Sequence, residues 1–164
     1  MSNIVYIGMS LDGYISAADG KLDWLSYVPI PEGNDLGFSA FMERVDAVVM
    51  GRKTFETLIG FGMGWHYPKP GIVLSSTLKS APEEFADHVQ FASGTPSEIV
   101  QFAKKQGFEN LYIDGGTTVQ RFLREDLIDE LIITGIPLLL EGGVRLLGSF
   151  ISASSSSWLI HKSC

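Results

Sequence analysis

The stretch LYIDGGTTVQRFL, from Leu111 to Leu123, joins a strand to a helix through two glycines. Its first four residues have strand character, and the apolar positions from Val119 to Leu123 recur at helical spacing. Such a junction leaves the free N–H groups and the positive dipole end of the helix facing the turn. The stretch does not match GxGxxG, and a plain tight turn would have a similar sequence. If a ligand binds here, the pattern predicts an anion.

A second junction of the same kind is VVMGRKTFETL, from Val48 to Leu58. An apolar strand meets Gly51, the basic pair Arg52 and Lys53 follows, and Thr54 can cap the next helix. Two such junctions, one of them basic, indicate a ligand with more than one phosphate. A purely structural protein would give no reason for a basic pair beside this turn.

The composition predicts one compact domain over residues 1–164 with an α/β fold. Hydrophobic residues make up 45% of the chain and charged residues 19%, which is typical of ordered α/β proteins. The net charge of −7 argues against nucleic-acid binding, so an anionic ligand needs a local basic spot. No apolar run has the length of a membrane span, and the N-terminus lacks a signal-peptide pattern. We therefore expect a cytoplasmic protein without membrane or nucleic-acid partners.

Cysteine and histidine usage gives no support to a metal site. Cys164 is the only cysteine, which excludes an internal disulfide framework. His66, His88 and His161 lie far apart and show no ligand spacing. We expect no bound metal.

Strands alternate with helices along the sequence, which predicts a mostly parallel sheet with helices on both faces and an antiparallel end. One helix has a capping box, from Thr95 to Glu98, and Gly107 can end it. In such sheets ligands lie beyond the carboxyl ends of the strands. The predicted strands are 4–9, 47–50, 71–74, 89–92, 111–114, the segments 130–135 and 137–140 as a strand pair or one bent strand, and an edge strand within 152–161. A helix is predicted from 34 or 35 to 44.

Three segments, VVMGRKTFETL, GIVLSS and LYIDGGTTV, resemble in their order the cofactor-binding segments of dihydrofolate reductases. SLDGYIS, DGGTTVQRFLREDLIDEL and GGVRLL more closely resemble the reductase domain of the bifunctional bacterial riboflavin-biosynthesis enzymes. The resemblance implies a dihydrofolate reductase-like fold and an NADPH-dependent reductase acting on a pyrimidine- or pterin-like ring. The implied type is a 5-amino-6-(5-phosphoribosylamino)uracil reductase, which can form a homodimer. Family chains usually end in a β-hairpin, and we expect it to be incomplete here because the sequence stops at Cys164.

The resemblance also implies cofactor-binding roles for residues in four groups, together with Asp114 and a cis peptide bond between Gly115 and Gly116. These groups are Gly51, Arg52, Lys53 and Thr54 for the adenosine phosphates; Ser75, Ser76 and Thr77 for the adenine ribose; Gly115, Gly116, Thr117 and Thr118 for the pyrophosphate; and Ile7, Gly8, Asp12, Gly13 and Tyr14 beside the nicotinamide. Asp12 and Asp114 have structural alternatives, as a turn residue and a strand-end cap.

Asp35 is the candidate catalytic residue, as a proton source or as a grip on an amino-substituted ring. Desolvation beside the ring would raise its pKa, whereas the dipole of the helix that begins there favours the ionised form. Its structural alternative is an N-terminal helix residue. The segment from Trp24 to Asp35 is longer than in dihydrofolate reductases, which favours the riboflavin-type branch over dihydrofolate. A nucleotide-binding module without turnover is the other functional alternative.

Overall fold

The computed structural model describes residues 2–147, except positions 22, 28, 30, 63 and 79, and the backbone of residues 160–162. The strands are Ser2–Ser10 (β1), Tyr14–Ser16 (β2), Ala47–Gly51 (β3), Gly71–Leu74 (β4), Val89–Ala92 (β5), Asn110–Asp114 (β6), Glu130–Ile136 (β7), Val144–Arg145 (β8) and Ile160–Lys162 (β9). The α-helices are Phe38–Arg44 (α1), Arg52–Gly60 (α2), Pro96–Lys105 (α3) and Gly116–Arg124 (α4), and Asp23–Ser26 and Glu83–Phe85 form 3₁₀ helices.

Seven of these strands form one sheet in the order β5-β4-β3-β6-β1-β7-β9, and every described pairing in it is parallel. Parallel neighbours need long crossover connections, which the intervening helices supply. β2 and β8 pair separately as an antiparallel ribbon. The carboxyl ends of the seven strands therefore share one edge of the sheet, and the sequence predicted this for the strands that end at Gly51, Ser75 and Gly115.

Helices cover both faces of the sheet, which confirms the predicted layers. Phe41 of α1 and Phe55 of α2 belong to the hydrophobic cluster on one face. Ile99 of α3 and Phe122 of α4 belong to the cluster on the other. The predicted capping box of α3 is present, with the Thr95 side chain accepting the N–H of the third helical residue. The two clusters hold the sheet between them and fix the positions of its strand ends.

The C-terminal part of the sheet differs from the prediction. Residues 137–140 form no strand, because Pro137 has no N–H to donate and the Leu138 N–H donates to the Ile136 carbonyl in a turn. The predicted antiparallel end is also wrong for this sheet, since β9 lies parallel to β7. The connection between them, residues 137–159, is long enough for the crossover that parallel pairing needs.

Several predictions about the chain ends lie outside the described residues. Residues 152–159 of the predicted edge strand and the hairpin at Cys164 are among them. Organisation as a single domain stays a prediction. None of the helices in the described part of the chain is long and apolar enough to cross a membrane.

Helix α1 begins at Phe38, later than the predicted residue 34 or 35. Leu36 and Gly37 have φ angles of 57° and 81°, which lie in the left-handed region and cannot continue a right-handed helix. The prediction failed because the polar residues before the helix form a tight turn instead of its first turn.

Candidate functional site

The N-termini of α2 and α4 meet at the carboxyl edge of the sheet. α2 follows β3 and α4 follows β6, and these neighbouring strands send their helices to opposite faces. A crevice opens where neighbouring connections diverge in this way, and open α/β sheets bind ligands there. Among the described residues, no side chain caps either helix, whereas α3 has a full capping box. The N–H groups of two first turns are therefore available to an anion.

Glycines allow the two junctions to approach each other closely. A Cβ atom on Gly51 would lie 2.9 Å from Thr118 Oγ1, and one on Gly115 would lie 2.5 Å from Thr54 Oγ1. Neither position has room for a larger residue unless a threonine moves. The sequence predicted both glycine turns, and the structure brings them together although they are 64 residues apart.

The peptide bond between Gly115 and Gly116 is trans, so the predicted cis bond is wrong. Gly115 has φ 89° and ψ 133°, a conformation that glycine adopts readily. This conformation turns the strand into the helix with an ordinary bond. A non-proline cis bond would add about 2.5–4 kcal/mol to the cost of the same turn.

A cavity of about 440 Å³ lies beside this crossing and is basic. The Arg52 guanidinium donates from Nη1 to Thr77 Oγ1 (2.7 Å) and from Nε to Glu56 Oε1 (2.7 Å). On the opposite helix, Arg121 donates from Nη2 to the Gly94 carbonyl oxygen (2.9 Å). The residues that line the cavity are Arg52, Leu74, Ser75, Ser76, Thr77, Ser93, Gly94 and Arg121.

Two guanidinium groups and several hydroxyl groups therefore face one cavity next to two helix N-termini. Arg121 uses one of its N–H donors in the hydrogen bond above, and an arginine has five. Arginine and hydroxyl groups are the usual protein partners of phosphate oxygens. The cavity has the donors for a phosphate group and the volume for more than a phosphate.

A second opening follows the seam between β1 and β6. Pairing between these strands ends at Ile4 and Tyr112, although β6 stays paired with β3 as far as Asp114 and β1 with β7 as far as Ser10. The burial pattern of β1 agrees, because residues 6–9 are partly exposed while the two residues before them are buried. The predicted residues Ile7 and Gly8 therefore lie along an open seam in the centre of the sheet.

Asp114 lies beyond the last β1–β6 pair, at the end of β6. Its Oδ1 accepts the Gly115 N–H (2.8 Å) and its Oδ2 accepts the Tyr67 hydroxyl (3.2 Å). Burial raises the pKa of Asp114, and these two donors and the charge of His66 oppose the shift. A carboxyl group at the site can thus hold its proton at higher pH than an ordinary aspartate.

The ribbon of β2 and β8 packs over the start of α4. A Cβ on Gly116 would lie 2.8 Å from Ile15 Cδ1 and 3.2 Å from Val144 Cγ1. Arg145 of the ribbon lies 5.0 Å from the centre of the Tyr14 ring and donates to its hydroxyl (3.2 Å). The predicted residue Tyr14 therefore belongs to a cover above the crossing, and Gly13 forms the turn that leads into it, with φ 90°.

Asp12 ties this cover to the segment after β7. Its carboxylate accepts the Ser10 hydroxyl and the N–H groups of Leu140 (3.1 Å) and Glu141 (2.8 Å). The Ser10 hydroxyl, foremost, and the two N–H groups hold the pKa of Asp12 below its usual range. In the structure Asp12 thus has the turn role that the sequence left open as its alternative.

Asp35 is exposed and closes the turn before α1. Its carboxylate oxygens accept the N–H groups of Gly37 (2.9 Å) and Ser39 (2.9 Å). Its hydrogen bonds with Ser39 and then with Gly37 lower the pKa of Asp35, so the raised pKa expected beside a ring is not found. The Tyr6 hydroxyl of β1 donates to the carbonyl oxygen of the next residue, Leu36 (2.8 Å), so the turn that contains Asp35 packs against a β1 side chain. The catalytic role of Asp35 stays a prediction.

The structure gathers most of the predicted residues at one edge but in two separate openings. Gly51, Thr54, Gly115 and Thr118 form the crossing, and Thr117 is exposed at the first turn of α4. The residues predicted for the adenine ribose line the basic cavity together with Arg52, while Lys53 is exposed and not in its lining. These residues are Ser75, Ser76 and Thr77.

The sequence analysis missed Arg121, Ser93, Gly94 and Tyr67. Ser93 and Gly94 could have been found, because they follow β5 as Ser75 and Ser76 follow β4. Arg121 had no signal of its own, since basic residues are common in helices. Trp65 packs locally, because its Nε1–H donates to the Lys69 carbonyl oxygen and its ring lies against Gly71.

Comparison with known proteins identifies relatives across most of the chain. The family described as the RibD C-terminal domain matches residues 67–154. The uncharacterized protein YwjB of Bacillus subtilis (strain 168) is 35% identical over 146 residues, which cover 87% of this chain and 80% of that protein. A crystal structure of a Shewanella sp. PV-4 protein assigned to riboflavin biosynthesis is 50% identical, with a TM-score of 0.87 over 93% of this chain and 86% of that one.

Two more distant structures show the fold alone. The diaminohydroxyphosphoribosylaminopyrimidine deaminase/5-amino-6-(5-phosphoribosylamino)uracil reductase of Thermotoga maritima has a TM-score of 0.70 at 16% identity, over 94% of this chain and 50% of that one. Schistosoma mansoni dihydrofolate reductase has a TM-score of 0.51 at 23% identity, over 78% of this chain and 69% of that one. The chain has a dihydrofolate reductase-like fold and is a member of the RibD C-terminal domain family.

Proposed function

We propose that this protein is an NADPH-dependent reductase that transfers a hydride to an aminouracil-type substrate, of the kind that a 5-amino-6-(5-phosphoribosylamino)uracil reductase acts on. The observation that carries the proposal is the pairing of two anion sites at one sheet edge: the uncapped helix crossing and the cavity with two arginines. A dinucleotide with an additional phosphate on its adenosine requires both. The family assignment and the Thermotoga fold relative agree with this substrate class.

The residues present fit such a cofactor. A bound pyrophosphate would lie at the N–H groups of Gly116, Thr117 and Thr118, in the first turn of α4, which no side-chain hydrogen bond caps among the described residues. Arg52 and Arg121 would hold the phosphate of the adenosine ribose, and hydroxyl groups of the same cavity would hold the ribose. When bound, NADPH would supply the hydride.

The seam between β1 and β6 would receive the nicotinamide ring of the cofactor and, beside it, the substrate. Gly8 lies on a partly exposed part of a central strand, and Leu25 Cδ2 lies 2.8 Å from the position of an added Cβ, so a flat ring at this strand would pack beside Leu25. Asp114 at the same seam would provide the proton that accompanies the hydride, because its raised pKa keeps the carboxyl group protonated over a wider pH range. We place this role on Asp114 ahead of Asp35, whose exposed carboxylate is engaged by backbone N–H groups and has a lowered pKa.

Calorimetric titration of NADPH and NADH tests the cofactor assignment. NADPH should bind about 10- to 100-fold more tightly than NADH, since hydrogen bonds to a charged phosphate contribute about 1.5–3 kcal/mol. Equal affinities for the two would refute the role of the arginine cavity. The substrate is tested by NADPH oxidation with 5-amino-6-(5-phosphoribosylamino)uracil and, for comparison, dihydrofolate.

The outcomes separate the alternatives. We expect turnover of the aminouracil and weak or absent turnover of dihydrofolate. Efficient reduction of dihydrofolate alone would mean that the protein is a dihydrofolate reductase. Tight NADPH binding without oxidation by either substrate would favour a nucleotide-binding module. Cytoplasmic location and a homodimer stay predictions, and gel filtration with light scattering tests the second of them.

A further inference from the structure

The hydroxyl group of Tyr67 contacts the carboxyl group of Asp114 from outside the sheet. Tyr67 belongs to the segment between α2 and β4, and its hydroxyl donates to Asp114 Oδ2 at 3.2 Å. The other oxygen, Oδ1, accepts the Gly115 N–H at 2.8 Å. Each carboxyl oxygen of Asp114 thus has one protein donor, and one of the two comes from a distant segment.

Aromatic neighbours fix the ring of Tyr67. The ring centre lies 5.0 Å from Trp65, 4.6 Å from His66 and 6.4 Å from Tyr112. Trp65 is itself fixed, because its indole N–H donates to a backbone carbonyl within the same segment. The hydroxyl of Tyr67 is therefore held in place before any ligand arrives, as positioned groups at a site must be.

Asp114 needs such support because β6 has no β1 neighbour at this level. The pairing of β6 with β1 ends two residues earlier, at Tyr112, and only β3 remains paired beside Asp114. An aspartate side chain can exchange between several staggered rotamers, and a hydrogen bond from a fixed donor selects one of them. The described structure supplies that bond from Tyr67.

We propose that Tyr67 is a positioning residue for Asp114: its hydroxyl orients the carboxyl group, favours the ionised form and so sets the pH range in which Asp114 can donate a proton. The part of this proposal that concerns proton donation rests on the proposed function. The part that concerns orientation and ionisation is a property of the free protein.

The neighbouring charges determine the direction of the effect. Burial raises the pKa of Asp114, and the donors from Gly115 and Tyr67 lower it because they stabilise the carboxylate. Burial, foremost, and the charge of Asp114 raise the pKa of Tyr67 as well, so its hydroxyl stays protonated and remains a donor. His66 faces the carboxyl group from the same segment, and its protonated form would also favour ionisation. Tyr112 faces it from β6, with its own hydroxyl donated to the Tyr6 carbonyl.

Carbon-13 NMR titration of aspartate-labelled protein tests the proposal without a substrate. Asp114→Asn assigns the resonance, and the midpoint of Asp114 is then compared in wild type and Tyr67→Phe. The variant should have a midpoint about one pH unit higher, since it loses one hydrogen bond to a charged group. Tyr112→Phe is the matched control, because it removes a buried hydroxyl that donates to a backbone carbonyl instead of a carboxylate. An unchanged midpoint in Tyr67→Phe, or the same shift in both variants, overturns the proposal.

The pH dependence of kcat with NADPH and the aminouracil tests the catalytic part. Activity that needs protonated Asp114 falls as the pH rises through its pKa, so the alkaline limb of kcat should move up by about one unit in Tyr67→Phe. KM for NADPH should not change, because Tyr67 does not line the arginine cavity. If the NMR midpoint of Asp114 shifts in Tyr67→Phe but the alkaline limb of kcat does not move, the role of Tyr67 in proton donation is overturned. Absence of turnover in every variant counts against the proposed function, while the NMR titration still decides the role of Tyr67.

Discussion

Replacement of Gly115 by alanine tests whether the close crossing of α2 and α4 depends on a bare backbone. Gly115 combines a φ of 89° with a neighbour, Thr54 Oγ1, that would lie 2.5 Å from an added Cβ. Gly107 is a matched control, since it has a φ of 85° and no heavy atom within 4 Å of an added Cβ. Both variants place an L-residue at a positive φ, and only Gly115→Ala adds the contact with Thr54.

The magnitude follows from these two terms. An L-residue held at such a φ costs about 1–3 kcal/mol. Moving the Thr54 side chain off its preferred rotamer to relieve the contact adds about 0.5–1.5 kcal/mol. We expect Gly115→Ala to lower the free energy of unfolding by about 1.5–4.5 kcal/mol, which corresponds to a fall in Tm of about 3–18 °C for a chain of this length. Gly107→Ala should cost about 1–2 kcal/mol.

Urea denaturation measures the free energy of unfolding of Gly115→Ala, of Gly107→Ala and of the double variant that combines Thr54→Ala with Gly115→Ala. Removal of the Thr54 hydroxyl should recover the contact term of about 0.5–1.5 kcal/mol and leave the backbone term. If Gly115→Ala is no more destabilising than Gly107→Ala, or if Thr54→Ala recovers nothing, the close approach of the two junctions is not what requires glycine.

Three further predictions concern charged residues of the site. Arg121→Gln should weaken NADPH binding about 10- to 100-fold and leave NADH binding unchanged, and equal losses in calorimetry would contradict the phosphate assignment. The pKa of Asp12 is lower in the folded protein than in the unfolded chain, so the carboxylate stabilises the fold at pH values above the unfolded pKa. This stabilisation is lost as the pH falls through the folded pKa. Asp12→Asn should therefore lower Tm at pH 7, and the difference in Tm between variant and wild type should shrink below about pH 3.9. Asp114→Asn should reduce kcat by at least about 100-fold with the fold intact. Asp35→Asn should mainly lower Tm, because it weakens the turn before α1. If paired measurements of kcat and Tm give the reverse pattern, the catalytic role belongs to Asp35.

The features that the sequence predicted well are local ones. Each strand–glycine–helix junction occupies about a dozen consecutive residues, so turn chemistry and helical spacing were sufficient to recognise it. The capping box of α3 is equally local and is present as predicted. The wrong start predicted for α1 has a local cause too. Leu36 has a positive φ, which a leucine does not signal in the sequence, and α1 therefore begins later than predicted.

The features that the sequence could not predict depend on strand order. Arg52 and Arg121 meet at one cavity because β3 and β6 are neighbours, which no spacing along the chain reveals. Tyr67 reaches Asp114 over a separation of 47 residues. Asp114 was considered a strand-end cap or a neighbour of the cofactor, and its raised pKa became evident only with the surrounding side chains in place.

The place of β1 within the sheet has a consequence for biosynthesis. β1 is made more than 100 residues before either of its two neighbours in the sheet, β6 and β7, since Ser2 pairs with Asn110 and Ile4 with Glu130. At about 5–20 residues per second, a ribosome needs roughly 5–20 s to synthesise the chain between Ser2 and Asn110. During that time a largely apolar N-terminal segment has no described partner strand, and such segments aggregate or bind chaperones. Circular permutation that places β1 after β7 would remove this delay, at the cost of a new loop.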